Sequence, residues 1–143
     1  MNAVDTNVLV YGVDQSDPVK HVKAVTLLAS LVVSAAESVL LWQVAGEFLQ
    51  TLRRMESLGK LRHDELLQTF AKTRASLRLI TPVDAVLDRS LDLASRYSLS
   101  HWDSMIIAAC IEAGVTKLYT EDMGSPTKFD SLELETRLCD ALV

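Results

Sequence analysis

The chain of 143 residues and 15.8 kDa is 49% hydrophobic and 23% charged, which excludes an intrinsically disordered or low-complexity protein. Its length predicts a single domain over residues 1–143, with a core large enough to fold without disulfides. The net charge of −5 differs from the strongly basic charge that is typical of proteins that coat DNA.

The sequence predicts a cytoplasmic protein that does not enter a membrane. Its longest uncharged run, residues 24–36, is shorter than the roughly 20 apolar residues that a spanning helix needs. The first residues carry no basic segment and no signal-peptide pattern. Two cysteines, Cys110 and Cys139, are too few for a disulfide framework, so we expect both thiols to be reduced.

Predicted strands alternate with predicted helices along the chain. In chain order the expected elements are a strand at 2–11, a helix at 18–35, a strand at 38–42, helices at 43–58 and 64–75, a strand at 77–80, helices at 83–97 and 100–113, and strands at 115–120 and 132–138. The two consecutive helices form a helical hairpin at about 43–76. Such alternation predicts an α/β fold with a parallel sheet covered on both faces. Ligands bind such sheets at the carboxyl ends of the strands.

Basic residues are concentrated in the predicted hairpin. Residues 53–78 contain seven bases and three acids, so the rest of the chain carries a net charge of −9. Two interpretations stay open: a basic surface that binds phosphates, or the solvated faces of two ordinary helices.

Four acidic residues occupy unexpected positions: Asp5, Glu47, Asp103 and Asp122. Each has an ordinary explanation when it is considered alone. Asp5 can end its strand in an Asx turn that caps a helix, and Glu47 can lie at the edge of an apolar helix face. Asp103 can cap a helix, and Asp122 can belong to a polar turn, where Glu121 competes with it for any functional role.

Considered together, the four acids predict a metal site. Each lies near the end of a strand or the start of a helix that follows one, so all four can reach the same edge of a parallel sheet. Converging carboxylates repel one another, and a hard divalent cation removes that repulsion. A site of carboxylates without His or Cys favours Mg²⁺ or Mn²⁺ over zinc.

At these acids the chain resembles the PIN-domain ribonucleases and, among them, the toxins of VapBC-type toxin–antitoxin pairs. The matching segments are VDTNVL at 4–9, QVAGEF at 43–48, SHWDSMIIAA at 100–109 and LYTED at 118–122. They occur in the family's order and span most of the chain.

The resemblance implies a three-layer α/β/α sandwich around a mainly parallel sheet. It also implies an endoribonuclease that hydrolyses RNA phosphodiester bonds with Mg²⁺ or Mn²⁺. The family's catalytic and metal-binding acids correspond to Asp5, Glu47, Asp103 and Asp122, and its supporting polar residues correspond to Asn7 and Thr120. Members are usually homodimers that a small antitoxin protein inhibits.

The mechanism that we infer uses one or two metal ions. Asp5, Glu47 and Asp103 would hold one ion, and Asp122 would bind a second ion or orient the attacking water. Asn7 and Thr120 would hold the carboxylates in position. The basic hairpin would follow the RNA backbone, and the bases would be read in an unpaired loop of the RNA.

Two other functions remain possible from the sequence. A phosphatase of the haloacid dehalogenase type needs a second aspartate two residues after the first, where this chain has Asn7. A catalytically silent PIN-like module that binds RNA or a protein would keep the fold without cutting. Both tryptophans, Trp42 and Trp102, are assigned to the core or to an interface.

Overall fold

The structure, a computed structural model, describes residues 1–121, 123 and 126–138, and strands and helices alternate within them. The strands are β1 (Asn2–Val4), β2 (Ser38–Leu41), β3 (Arg78–Ile80), β4 (Lys117–Tyr119), β5 (Lys128–Phe129) and β6 (Leu132–Glu135). The helices are α1 (Thr6–Tyr11), α2 (Pro18–Val33), α3 (Trp42–Ser57), α4 (His63–Ser76), α5 (Ala85–Arg96) and α6 (His101–Ala113). Helices α3 and α4 are the predicted hairpin.

The described strands form one sheet in the order β3-β2-β1-β4-β6-β5. Its strands run parallel except at one edge, where β5 and β6 are antiparallel. The mainly parallel sheet was predicted, whereas the short strand β5 was not. Val4 at the end of β1 is paired in register with Tyr119 at the end of β4. Residues that follow these strands therefore emerge side by side at the carboxyl edge of the sheet.

Helices flank the sheet and confirm the predicted α/β/α sandwich. Helix α1 contacts α2 and α3, α3 contacts α4, and α5 packs against α6. The central strands supply fully buried core residues, including Val4, Leu40 and Leu118. No helix among the described residues has both the length and the apolar character needed to cross a bilayer.

The first strand is shorter than the sequence predicted. We expected a strand from residue 2 to residue 11, but β1 ends at Val4 and α1 begins at Thr6. Asp5 is the reason, because its Oδ1 accepts a hydrogen bond from the Thr6 N–H (2.7 Å) and caps the helix. The change in direction brings α1 over the carboxyl edge of the sheet.

Helix α6 begins and ends at the residues that the sequence indicated. Ser100 Oγ accepts a hydrogen bond from the Asp103 N–H (3.2 Å) at its start. Gly114 ends the helix with φ of +79°, a left-handed conformation that favours glycine. The Ser100 cap therefore sets where the first turn of α6 begins.

Candidate active site

A cleft of about 540 Å³ opens at the carboxyl edge of the sheet, and three of the four predicted acids line it. Asp5 follows β1, Glu47 lies in the second turn of α3, which follows β2, and Asp103 lies in the first turn of α6. The structure thus brings together residues that are distant in the sequence. The fourth predicted acid, Asp122, lies outside the described residues.

Asp5 occupies the base of this cleft and is only 8% exposed. Its backbone N–H donates to the Tyr119 carbonyl (2.8 Å), which extends the pairing of β1 with β4 by one residue. Its Oδ2 accepts a hydrogen bond from Thr120 Oγ1 (2.9 Å), and Thr120 is itself buried. Both carboxylate oxygens of Asp5 therefore have a donor from the protein.

Burial raises the pKa of Asp5 above its ordinary value of 3.8. The hydrogen bonds from Thr6 and Thr120 lower this pKa, whereas the negative charges of Glu47 and Asp103 raise it further. The burial and the neighbouring charges together outweigh the two hydrogen bonds, so the pKa of Asp5 is raised overall. Asp5 is therefore a carboxylate in surroundings that favour its protonation or the binding of a cation.

Two neutral side chains hold Glu47. Thr6 Oγ1 donates to its Oε2 (2.6 Å), and Gln43 Nε2 donates to its Oε1 (2.9 Å). Gln43 also lies 3.4 Å from the Trp102 carbonyl, which links α3 to the start of α6. Neither donor carries a positive charge, so neither forms an ion pair with the Glu47 carboxylate.

The sequence did not single out Thr6 or Gln43 as parts of the site. Thr6 bridges two acids, since its N–H binds Asp5 and its hydroxyl binds Glu47. Gln43 lies four residues before Glu47, a spacing that places the two side chains on the same helix face. That spacing was a usable signal for Gln43, whereas the role of Thr6 depends on how α1 meets α3.

Asp103 projects from the first turn of α6 into the cleft. The sequence allowed Asp103 to cap the helix. In the structure Ser100 is the cap, because its Oγ accepts a hydrogen bond from the Asp103 backbone N–H. The carboxylate of Asp103 is therefore not the group that caps the helix. The positive end of the α6 dipole favours a negative charge at this position.

Asn7 and Glu121 connect α1 to the segment after β4. Asn7 Oδ1 accepts a hydrogen bond from the Glu121 N–H (3.2 Å), so Asn7 positions the chain just before Asp122. The Glu121 carboxylate forms an ion pair with Lys20, whose Nζ also lies 3.4 Å from Tyr11 Oη. Of the two predicted supporting residues, Thr120 contacts an acid directly and Asn7 acts on the backbone.

The basic hairpin contributes one cation to the cleft, Arg54. Two other bases of the hairpin region are already paired. Arg62 lies 3.1 Å from Asp64, and Arg78 lies 2.6 Å from Glu37, next to the opposite edge of the sheet. The positive charge available near the acids is therefore smaller than the composition of residues 53–78 suggested.

The donor set of the cleft suits a hard divalent cation. Three carboxylates line it, and the negative charges of Glu47 and Asp103 add to the effect of burial in raising the pKa of Asp5. Among residues 1–121, 123 and 126–138, however, no three His, Cys, Asp or Glu side chains are close enough together to hold a metal ion as they stand.

Neither tryptophan belongs to the core. Trp42 is 56% exposed and Trp102 is 59% exposed, so of the two places that the sequence allowed the core was wrong for both, and an interface stays a prediction. Trp102 lines the acidic cleft. Cys110, in contrast, is a free thiol buried in the core, and burial raises its pKa, which agrees with a packing role. Cys139 lies outside the described residues.

Solved structures with the same fold include several toxin–antitoxin proteins. VapBC2 from Rickettsia felis bound to a promoter DNA fragment aligns with a TM-score of 0.72 at 14% identity, covering 94% of this chain and 97% of that one. VapC20 of Mycobacterium tuberculosis, a sarcin-ricin loop cleaving toxin, aligns with a TM-score of 0.65 at 19% identity, covering 85% of this chain and 90% of that one. A toxin–antitoxin complex from Klebsiella pneumoniae aligns with a TM-score of 0.64 at 14% identity, covering 92% of this chain and 95% of that one.

At such identities these likenesses describe the fold alone, and no protein with a curated description matches the sequence. The sequence model of the PIN domain, in contrast, matches residues 3–125, a stretch that holds all four predicted acids. Since this match covers most of the chain, the protein belongs to the PIN domain family.

Proposed function

We propose that the chain is a metal-dependent endoribonuclease and the toxin of a toxin–antitoxin pair. The observation that carries this proposal is the position of Asp5, Glu47 and Asp103 on one cleft at the carboxyl edge of a PIN fold. The similarity in fold to VapC20, a toxin that cleaves the sarcin-ricin loop, supports RNA as the substrate.

Asp5, Glu47 and Asp103 are the residues that would hold Mg²⁺ or Mn²⁺, directly or through water. A divalent ion there would neutralise charge on a phosphate and make a water molecule a better nucleophile near neutral pH. We assign to Asp122 a second ion or the orientation of the attacking water. Its neighbour Glu121 is the weaker candidate, because Glu121 is in an ion pair with Lys20.

The remaining cleft residues would orient the acids and the RNA. Thr6, Gln43 and Thr120 donate hydrogen bonds that set the directions of the Glu47 and Asp5 carboxylates. Arg54 supplies a positive charge where an RNA phosphate would enter the cleft. Other Lys and Arg side chains of the hairpin, some of which are already in ion pairs, would add a weaker contact with the RNA backbone.

A protein antitoxin is the proposed partner, and a homodimer in the cytoplasm is the proposed working form. Two of the structures with the same fold, from Rickettsia felis and Klebsiella pneumoniae, are toxin–antitoxin assemblies, which supports a partner of this kind. The free, buried thiol of Cys110 is compatible with a reducing compartment.

Cleavage of RNA by the Asp5→Asn variant tests the proposal. Purified protein is incubated with total RNA in Mg²⁺, in Mn²⁺ and in chelator, and the cut ends are mapped. We expect wild-type cleavage only with metal, and a loss in the variant of at least the roughly 10- to 100-fold that changes next to a metal ligand cause. Asparagine still caps a helix, so α1 should form in the variant.

Asp88→Asn is the matched control, since it makes the same chemical change on the exposed surface of α5. This control should cleave like the wild type. Cleavage that persists in chelator or in Asp5→Asn would disprove the metal-dependent mechanism. RNA binding without any metal-dependent cleavage would favour the catalytically silent binding module instead.

A further inference from the structure

A second, largely apolar groove lies beside the acidic cleft. It has a volume of about 330 Å³, and both tryptophans line it. We call it the tryptophan groove; its other lining residues include Ile80, Pro82, Val83 and Met105. Its volume is within the range of small-molecule sites.

The tryptophan groove and the acidic cleft adjoin each other at Trp102. Trp102 lines both, and Asp103, the next residue, lines the cleft. Gln43 also lines the groove while its amide donates to Glu47 in the cleft. The two surfaces therefore meet at Trp102, next to the acid at position 103.

The chemistry of the groove suits a flat, uncharged group. Trp42 and Trp102 are each more than half exposed, although indole rings are usually buried in a core or an interface. Among the described residues that line the groove, Glu112 alone is charged, and its Oε1 lies 2.6 Å from Arg89 Nε in an ion pair. Without a cation in its lining, the groove is suited to a base rather than to a phosphate.

We propose that the tryptophan groove binds an unpaired base of the RNA, stacked on Trp42 and Trp102, next to the phosphate that the acids act on. This inference rests on the proposed ribonuclease function and names the substrate more closely: RNA with a base that can leave its stack. Aromatic side chains are the usual platforms for unpaired bases, and such stacking accepts every base.

Tryptophan fluorescence reports directly on this groove, because Trp42 and Trp102 are the only two tryptophans of the chain. Short oligoadenylate is titrated into the full-length protein in chelator, where cleavage does not occur. We expect saturable quenching by the oligoadenylate. The same oligomer with abasic nucleotides should quench little, since only its backbone remains to bind.

Variants then assign the effect to stacking. Trp42→Ala should weaken the binding of oligoadenylate roughly tenfold, whereas Trp42→Phe, which keeps an aromatic face, should retain most of the affinity. Against the abasic oligomer, the alanine variant should lose almost nothing. Leu91→Ala is the matched control, because it removes a 68% exposed apolar side chain from α5, outside the groove lining.

The outcomes separate this inference from the proposed function. Metal-dependent cleavage of total RNA by the wild type, together with unchanged oligoadenylate binding by Trp42→Ala, would overturn the inference and leave the nuclease proposal in place. Base-dependent quenching without cleavage would support the groove and disprove the nuclease. If Trp42→Ala turns a dimer into a monomer in sedimentation and binds oligoadenylate normally, the groove is instead a contact between two copies of the chain, and the inference is wrong.

Discussion

Thr120 Oγ1 donates a hydrogen bond to Asp5 Oδ2 over 2.9 Å, although 115 residues separate the two in the chain. The parallel register of β1 and β4 produces this contact, because Val4 is paired with Tyr119 at the ends of the two strands. Asp5 and Thr120, which follow them, therefore lie next to each other at the carboxyl edge of the sheet. This hydroxyl and the Thr6 N–H, which donates to Asp5 Oδ1, together hold the carboxylate of Asp5.

Thr120→Val removes this donor while it keeps the shape of the side chain. We expect a loss of about 1–2 kcal/mol in the free energy of unfolding, because Asp5 Oδ2 is left without its protein donor. RNA cleavage should fall roughly 10- to 100-fold, as for other residues that orient a ligand of a metal. Chemical denaturation and cleavage rates measure the two effects.

Thr73→Val is the control for that change. Thr73 Oγ1 donates to the Thr69 carbonyl within α4 (3.0 Å), so the control removes a comparable hydroxyl away from the acids. Its cleavage rate should equal that of the wild type. Equal cleavage by Thr120→Val would mean that Asp5 needs no orientation from Thr120.

The stability of the metal-free protein should depend on pH through Asp5. Its pKa is raised in the folded state, so between the ordinary value of 3.8 and the raised value the folded protein binds more protons than the unfolded chain. The free energy of unfolding should therefore fall as the pH rises through this window, because ionised Asp5 is buried near other acids.

Comparison of unfolding curves for the wild type and Asp5→Asn isolates this contribution. The asparagine cannot ionise, so the difference in stability between the two proteins should change in favour of the variant as the pH increases. A difference that stays constant with pH would show that Asp5 has the same pKa in both states.

A divalent cation should stabilise the wild-type fold. At a concentration of Mn²⁺ about 100 times its dissociation constant, the gain is about 2.7 kcal/mol, or roughly 5–10 °C in Tm for a domain of this size. Glu47→Gln should lose most of this shift, since it removes a negative charge from the cleft. Differential scanning calorimetry with NaCl at equal ionic strength controls for screening, and an equal shift in NaCl would exclude a specific ion site.

Arg54→Gln should reduce the affinity for RNA similarly for all RNA sequences and lower its salt dependence by about one unit of slope. Arg54 lines the acidic cleft, where a phosphate would enter. Arg78→Gln is the matched control, because Arg78 is already paired with Glu37 at the start of β3. Fluorescence anisotropy at several salt concentrations measures both slopes. Equal slopes for the two variants would remove Arg54 from the RNA path.

Local sequence signals predicted most of the elements. Pro18 marked the start of α2, Ser100 the start of α6 and Gly114 its end, because each acts on the backbone within a few residues. The β1–α1 boundary was missed, since an apolar run rich in β-branched residues fits a strand and a short helix equally well.

The residue types of the candidate site could also be read from the chain, since acids in apolar surroundings are costly and therefore informative. Their hydrogen-bond partners could not. Thr6 reaches Glu47 only because α1 packs on α3. The two exposed indoles line one groove only in the tertiary structure, where Gln43 in the first turn of α3 lies 3.4 Å from the Trp102 carbonyl in the first turn of α6.

The chain alone thus specified its α/β pattern and the chemistry of its acids, because both follow from short-range preferences and side-chain type. The order of strands in the sheet decided which acids meet, which of them is buried and what each oxygen contacts. That order arises from packing between residues distant in the chain, and such contacts leave no local pattern to read.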